Sequence, residues 1–134
     1  MILFAMGDLM RESGEDYLEA VLELEQERGT VRLTDVATKV GVTKPSASRA
    51  MKILQNDGYI HQENYGTIEL TSKGRLKATQ VFHRHKTLTV FLEDVLGVSP
   101  ETAENDACRM EHVLSPQTME RLSAFVEEQK RQGQ

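Results

Sequence analysis

The amino-acid sequence predicts a mainly α-helical protein that contains one short β-hairpin. Apolar residues recur at spacings of three and four along most of the 134 residues, which is typical of amphipathic helices. Each of the three prolines follows a serine or threonine by one or two positions, a combination that marks the first turn of a helix. Two short β-prone runs, residues 59–63 and 67–70, are separated by Asn64-Tyr65-Gly66 as a hairpin loop.

Three helices are predicted before the hairpin. An apolar stripe covers about residues 14–28. Thr34 is the predicted cap of a short second helix that a glycine ends in a tight turn. Thr43 is the predicted cap of a third helix that runs to about Asn56. The apolar residues of this third helix that we expect to face inward are Ala47, Ala50, Ile53 and Leu54.

After the hairpin, helices are predicted over about residues 71–97, 100–114 and 116–130. The order helix, short helix, tight turn, helix and hairpin is that of a winged helix-turn-helix, whose second turn helix enters the major groove of DNA. We therefore expect a winged helix-turn-helix domain over residues 1–74, followed by an all-helical domain over residues 75–134.

The charges are unevenly distributed along a chain whose net charge is −5. Residues 31–77 carry eight lysines and arginines against four acidic residues, whereas the rest of the chain carries eight against 17. A basic segment between acidic ones indicates a phosphate-binding face on an otherwise acidic molecule.

Small hydrogen-bond donors and cations cluster at the start of the third helix. Hydroxyl groups and a helix N-terminus can bind phosphate oxygens, and Arg49 can reach a base edge or a phosphate. Winged folds also occur as protein-interaction modules, so that alternative stays open. The predicted DNA-contacting residues are Arg32, Thr43, Lys44, Pro45, Ser46, Ser48, Arg49, Lys52 and, in the hairpin loop, Tyr65.

Several classes of protein do not fit the sequence. The apolar run at residues 1–6 lacks a basic flank and is too short for a signal peptide or a membrane span, so we expect a cytoplasmic protein without a membrane partner. A single cysteine excludes an intramolecular disulfide and a zinc finger. No nucleophile–base pair or phosphate-binding glycine loop is evident, so neither an enzyme nor a small-molecule substrate is expected.

The only cysteine lies in residues 105–115, NDACRMEHVLS. On a helix, Cys108, Glu111 and His112 share one face because they are three and four positions apart, so three potential metal ligands converge. The alternative is a half-buried cysteine beside two solvated polar residues. Three ligands from one helix cover only one side of a metal ion, so a complete site needs further ligands.

Two other helices offer such ligands. Asp16 and Glu19 share a face of the first helix and adjoin its apolar stripe. His85 lies three residues from the apolar Phe82 and three from Leu88 in the long helix. Taken singly these signals are weak, because an acidic pair is most often a solvated helix face and a lone histidine is most often a surface or core residue.

Longer sequence motifs link these candidate metal ligands to one protein family. Over about residues 13–130 the chain resembles the diphtheria toxin repressor family of metal-dependent transcriptional regulators, which includes iron-dependent repressors and manganese transport regulators. The resemblance implies a winged DNA-binding domain, a helical dimerisation domain and a metal that permits the homodimer to clamp a palindromic operator. The motifs that carry it are EDYLEAVLELE (15–25), RLTDVATKVGVTKPSASRAMKILQNDGYI (32–60), LTSKGR (70–75), RHKTLTVFLEDVLGV (84–98) and NDACRMEHVLS.

The resemblance also implies a primary metal site. Cys108, Glu111 and His112 match its ligands. Asp16 stands where iron-type members have a methionine and manganese-type members an aspartate.

A second metal site is implied by the same resemblance. Glu19 and His85 match the manganese-type second site, and His85 also matches an ancillary histidine of the iron type. Glu104 stands where the iron type has another ancillary histidine, and Thr89 where it has an acidic ligand. The length fits the short, two-domain form of the family.

The predicted metal ligands combine features of the iron-type and the manganese-type members of the family. A thiolate at Cys108 favours Fe(II), Co(II), Ni(II) or Zn(II), whereas a carboxylate at Asp16 suits Mn(II) or Fe(II). We therefore expect a metal-dependent repressor of metal-homeostasis genes that uses Fe(II), with Mn(II) as the close alternative. The competing interpretation is a metal-independent winged-helix regulator or protein-interaction adaptor.

Overall fold

The computed structural model describes residues 12–64 and 66–133 and divides the chain into two compact units, Met1–Gln80 and Val81–Gln134. The prediction of a mainly helical chain with an N-terminal winged helix-turn-helix order is confirmed. No helix in the described ranges is long and apolar enough to cross a membrane. The elements are α1 (Glu12–Arg28), α2 (Leu33–Val40), α3 (Lys44–Asn56), β1 (Ile60–Gln62), β2 (Ile68–Leu70), α4 (Ser72–Val90), a π-helical segment (Phe91–Val95), α5 (Pro100–Met110) and α6 (Pro116–Gln132).

The helix-turn-helix is formed by α2 and α3. Gly41 ends α2 in the left-handed conformation with φ 85°, and its N–H donates to the carbonyl of Ala37. Thr43 caps α3 as predicted, because its hydroxyl oxygen accepts the backbone N–H of Ser46 at 3.2 Å. Thr34 is not the cap of α2, which begins one residue earlier, at Leu33. The position before this helix is Arg32, whose N–H donates to the Asp35 carboxylate at 3.3 Å.

The core of the first unit is formed by one face of each of its helices and by the hairpin. In α3, Ala47, Met51 and Leu54 are buried, which follows helical spacing. Ile53 was expected to face inward, but it is 59% exposed because it lies off this stripe. The other core residues of this unit include Leu18, Val21, Val31, Val36, Ile60, Ile68 and Ala78.

The hairpin is short and antiparallel, with Ile60 opposite Leu70 and Gln62 opposite Ile68. The N–H of Ile68 also donates to the carbonyl of Val31 at 2.8 Å, which ties the extended segment before α2 to the hairpin. The hairpin is therefore fixed to the helix-turn-helix on one side.

The start of α4 packs directly against the end of the helix-turn-helix. Thr71 accepts the N–H of Gly74 at 3.0 Å and donates its hydroxyl to the carbonyl of Gly58 at 2.6 Å. A Cβ atom at Gly74 would lie 1.8 Å from the carbonyl oxygen of Tyr59. Only glycine permits this close approach.

Two ion pairs attach the same end of α4 to α1. Arg75 binds both carboxylate oxygens of Glu25, at 2.8 and 2.9 Å. Lys77 lies 3.3 Å from the carboxylate of Glu15, whose side chain is buried. The beginning of α4 thus belongs to the first unit, and the boundary between the units falls inside this helix.

The second unit packs the end of α4 against α5 and α6. Its core consists of Leu88, Leu92, Ala103, Ala107 and Met119. The long helix was expected to continue to Gly97 and instead changes to a π-helical segment at Phe91–Val95.

The end of α5 also differs from the prediction. This helix was expected to reach residue 114, but it stops at Met110, and residues 111–113 form a turn.

Gly74→Ala should lower the free energy of unfolding by about 1–3 kcal/mol, because the added methyl group forces the α4 backbone away from Tyr59. Urea denaturation followed by circular dichroism measures this change. Thr79→Ala, at an exposed position of the same helix, is the matched control and should change it by less than about 0.5 kcal/mol. Equal stability of Gly74→Ala and the wild type would contradict the close approach.

Candidate metal centre and nucleic-acid interface

His85 is the centre of a polar cluster in the second unit. It projects from α4, and its Nδ1 lies 2.7 Å from Oε1 of Glu111. Its Nε2 lies 3.0 Å from the carboxylate of Glu104 on α5. Three residues that the sequence singled out, from two helices and the turn after α5, therefore meet in the structure.

The cluster holds His85 in its charged form. The hydrogen bond to Glu111 raises the pKa of His85 to about 9, against the opposing effect of burial, and the hydrogen bond to Glu104 adds to the increase. At neutral pH, therefore, an imidazolium lies between two carboxylates. A metal ion that uses this imidazole as a ligand has to displace a proton.

Glu111 has an incomplete environment. Its side chain is 0% exposed, and only Oε1 is hydrogen bonded to His85. Within the described residues Oε2 is buried and has no hydrogen-bond partner, although Nε2 of His112 lies 3.4 Å away. An unsatisfied buried carboxylate oxygen is costly, and a divalent cation would compensate it. The donors present, carboxylate and imidazole, suit a divalent transition metal.

The triplet Cys108, Glu111 and His112 does not lie on one regular helix. Because α5 ends at Met110, Glu111 is its C-terminal cap. The N–H of His112 donates to the carbonyl of Arg109 at 3.3 Å, which tightens the chain into a turn. Glu111 is buried four residues after the buried Ala107, whose carbonyl accepts its N–H at 3.0 Å. The side chain of His112 is buried as well, whereas Cys108 is exposed on α5.

The remaining predicted metal ligands lie in the first unit. Asp16 and Glu19 are both partly buried on α1, next to the buried Leu18. Their three-residue spacing puts them on the same side of this helix, as the sequence indicated.

A polar cleft of about 570 Å³ lies at the helix-turn-helix and the hairpin. Its lining contains three cationic side chains and no carboxylate, which suits a polyanion. Four of the predicted DNA-contacting residues line it: Arg32, Lys44, Ser48 and Lys52. The lining residues that the sequence analysis did not select are Leu33, Thr34, Gln55, Gln62 and Asn64.

The other predicted DNA-contacting residues lie outside this cleft. Pro45 and Arg49 are exposed on α3. Thr43 donates its hydroxyl to that of Ser46 at 3.0 Å, so both hydroxyls take part in the helix cap. Tyr65 lies outside the described residues.

Two family models match the chain in succession. The iron-dependent repressor N-terminal DNA-binding domain matches residues 8–68. The iron-dependent repressor metal-binding and dimerisation domain matches residues 71–133.

Full-length relatives show the same similarity. An uncharacterised HTH-type transcriptional regulator of Methanocaldococcus jannaschii is 35% identical over 119 residues, which are 88% of this chain and 95% of that protein. The transcriptional regulator MntR of Salmonella typhimurium is 36% identical over 118 residues, or 88% of this chain and 74% of that one. MntR of Bacillus subtilis is 34% identical over 115 residues, which are 86% of this chain and 80% of that protein.

Two solved structures of manganese regulators share this fold and are about twice as long as the matched region. A manganese-dependent transcriptional repressor in complex with manganese superposes with a TM-score of 0.79 and 27% identity, over 85% of this chain and 52% of that one. The manganese regulator SloR superposes with a TM-score of 0.76 and 27% identity, over 85% of this chain and 53% of that one. The chain thus spans about half the length of these proteins.

The pKa of His85 can be measured directly by NMR titration of the metal-free protein. We expect about 9, and Glu111→Gln should lower it because the hydrogen bond to a carboxylate is lost. Glu120→Gln, at an exposed position of α6, is the control and should leave it unchanged. A wild-type pKa near 6.5 would contradict the arrangement.

The raised pKa of His85 also determines how the stability of the metal-free protein depends on pH. Because the folded-state pKa is the higher one, the cluster stabilises the metal-free protein fully below about pH 6.5, and this contribution is lost as the pH rises through about 9. The loss of stability in Glu111→Gln should therefore be larger at pH 6 than at pH 10.

Proposed function

The chain belongs to the iron-dependent repressor family of metal-dependent transcriptional regulators, also called the diphtheria toxin repressor family, and we propose that it is a dimeric repressor of metal-homeostasis genes. In this proposal it binds a palindromic operator in double-stranded DNA when Fe(II) or Mn(II) is bound. It acts in the cytoplasm, without enzymatic activity, a small-molecule substrate or a membrane partner. DNA binding is assigned to residues 1–74, and metal binding and dimerisation to residues 75–134.

The observation that carries the proposal is the environment of Glu111. A fully buried carboxylate with one oxygen unsatisfied among the described residues needs a positive charge, and the adjacent His112 offers a second donor. Glu111 and His112 lie within the region matched by the metal-binding and dimerisation model.

We propose that two groups of side chains hold the metal. Asp16, Cys108, Glu111 and His112 form the primary set, as the family resemblance implies. Glu19, His85 and Glu104 form the second set, for which the hydrogen bonds of His85 provide support. When bound, the ion would supply positive charge to carboxylates that otherwise depend on the His85 proton.

The identity of the metal depends on Cys108. A thiolate ligand favours Fe(II), Co(II), Ni(II) or Zn(II). Of these, Fe(II) also suits the carboxylate of Asp16, and we therefore propose Fe(II). A set made only of oxygen and nitrogen ligands would favour Mn(II), the metal of the manganese-dependent repressor that this chain resembles.

We propose that α3 enters the major groove in the DNA-bound state. The polar cleft at the helix-turn-helix and the hairpin, hereafter the cationic cleft, would then contact the phosphate backbone. Arg32, Lys44 and Lys52 supply the positive charge of this cleft, and Arg49 is exposed on α3. Metal and operator must increase each other's affinity by the same free energy, because the two bindings are thermodynamically linked. The size of this effect is set by the difference in metal affinity between the two conformational states.

One observation favours a second candidate, a winged-helix regulator or adaptor that needs no metal. The imidazolium of His85 already neutralises charge between Glu104 and Glu111. A response to metal separates the two candidates.

We expect metal to raise DNA affinity about 5- to 150-fold, the usual range of allosteric coupling. The measurement is an anaerobic fluorescence-anisotropy titration of a labelled palindromic duplex, selected from random DNA by the protein, with no metal, Mn(II) or Fe(II). A scrambled duplex of equal length controls for non-specific binding. Equal affinity with and without metal would exclude the proposed regulation and support the metal-independent candidate.

Substitutions of proposed metal ligands and substitutions of DNA-contacting residues should have different effects on DNA affinity in the same assay. Asp16→Ala and Cys108→Ala should abolish the response to metal without unfolding the metal-free protein. Arg49→Ala should instead cost about 1–3 kcal/mol of DNA affinity with or without metal. A normal metal response in Asp16→Ala would remove this residue from the proposed site.

A further inference from the structure

Two glutamines connect α3 to the loop of the hairpin through consecutive hydrogen bonds. Oε1 of Gln55, in the last turn of α3, accepts the backbone N–H of Gln62 at 2.5 Å. Gln62 is the last residue of β1, and its Nε2 donates to the carbonyl of Gly66 at 3.0 Å. The path therefore runs from α3 to β1 and then to the loop.

Gly66, which receives this second hydrogen bond, lies close to Glu63. The N–H of Gly66 donates to the carbonyl of Glu63, and a Cβ atom at Gly66 would lie 2.7 Å from the Glu63 carbonyl oxygen. The pair of Gln62 with Ile68 ends the strand ladder on this side. The glutamine contacts thus extend the attachment of the hairpin beyond its short ladder.

Both glutamines also line the cationic cleft together with Arg32, Lys44 and Lys52. Residues of α3, of the hairpin and of the start of α2 together line this cleft, so the position of the hairpin relative to α3 contributes to its shape. We propose that Gln55 and Gln62 are positioning residues that hold the hairpin loop against α3, so that the cleft has its DNA-binding shape before DNA arrives. This inference rests on the proposed DNA-binding function.

Preorganisation is the physical reason for such a contact. Gln55 is exposed, so a hydrogen bond at this position adds only about 0.5–1.5 kcal/mol to folding. Ordering a loop during association lowers affinity, and a loop that is already fixed avoids this loss. The two hydrogen bonds act in series, so breaking either one removes this connection between Gly66 and α3, while the strand pairing and the Ile68–Val31 hydrogen bond remain.

Amide hydrogen exchange of the DNA-free protein, measured by NMR, tests the contact itself. Gln55→Ala should accelerate exchange of the Gln62 amide, whereas Gln55→Glu should preserve its protection because the carboxylate keeps the acceptor oxygen. Asn56→Ala, at the adjacent exposed position, is the control for general effects on α3. Unchanged protection of Gln62 in Gln55→Ala would overturn the proposal.

DNA affinity tests the consequence. In metal-loaded protein, Gln55→Ala and Gln62→Ala should each weaken binding of the selected palindromic duplex roughly three- to tenfold, the effect of one hydrogen bond. The double variant should be no weaker than the weaker single variant, because both break one path. Asn56→Ala should bind as the wild type does. Losses that multiply in the double variant would mean independent contacts with DNA and would overturn the positioning role.

The experiment separates the two levels of the proposal. If the metal-loaded wild type binds no DNA, the proposed function fails, and the role of the glutamines fails with it. If the wild type binds and both variants match it, only the positioning role fails. Circular dichroism melting of each variant shows whether a loss of binding reflects unfolding.

Discussion

The buried carboxylate of Glu111 organises the polar cluster of the second unit, and the proposed metal-dependent function rests on it. It is fully enclosed, and one oxygen binds His85 while the other has no hydrogen-bond partner among the described residues. A buried anion is tolerated only when positive charge or hydrogen bonds compensate it. In the metal-free protein the proton on His85 provides part of that compensation, and in the proposed function a bound divalent cation supplies the positive charge instead. Glu111 follows the buried Ala103 and Ala107 at four-residue spacing, which places it in this buried position.

In the first unit, hydrogen bonds, ion pairs or close packing attach every element to a neighbour. The ion pairs of Arg75 and Lys77 hold the start of α4 to α1, and Gly74 permits the same segment to contact Tyr59. The hairpin is attached through Val31 on one side and through Gln55 on the other. A cationic surface on such a fixed framework loses little conformational freedom when it binds a polyanion.

Local signals in the sequence predicted most of the fold. The serine or threonine before each proline, at Thr43, Ser99 and Ser115, accepts a backbone N–H as a helix cap, because cap chemistry depends on neighbours within three residues. The cap predicted at Thr34 was wrong. The early end of α5 was missed, since no glycine or proline lies near Met110 and the tertiary environment of Glu111 is not visible in a local pattern. Ile53 was misplaced because an apolar residue at an exposed position looks like a core residue in a sequence.

The candidate metal ligands could be selected by residue type and by resemblance, but the pairing of His85 with Glu104 and Glu111 required the packing of α4 and α5. In the proposed function Glu111 and His112 bind the regulatory metal, which anomalous diffraction from crystals of the protein loaded with Mn(II) tests. We expect an anomalous peak within coordination distance of Oε2 of Glu111 and Nε2 of His112. A metal peak elsewhere, with Glu111 bound only to His85, would contradict it.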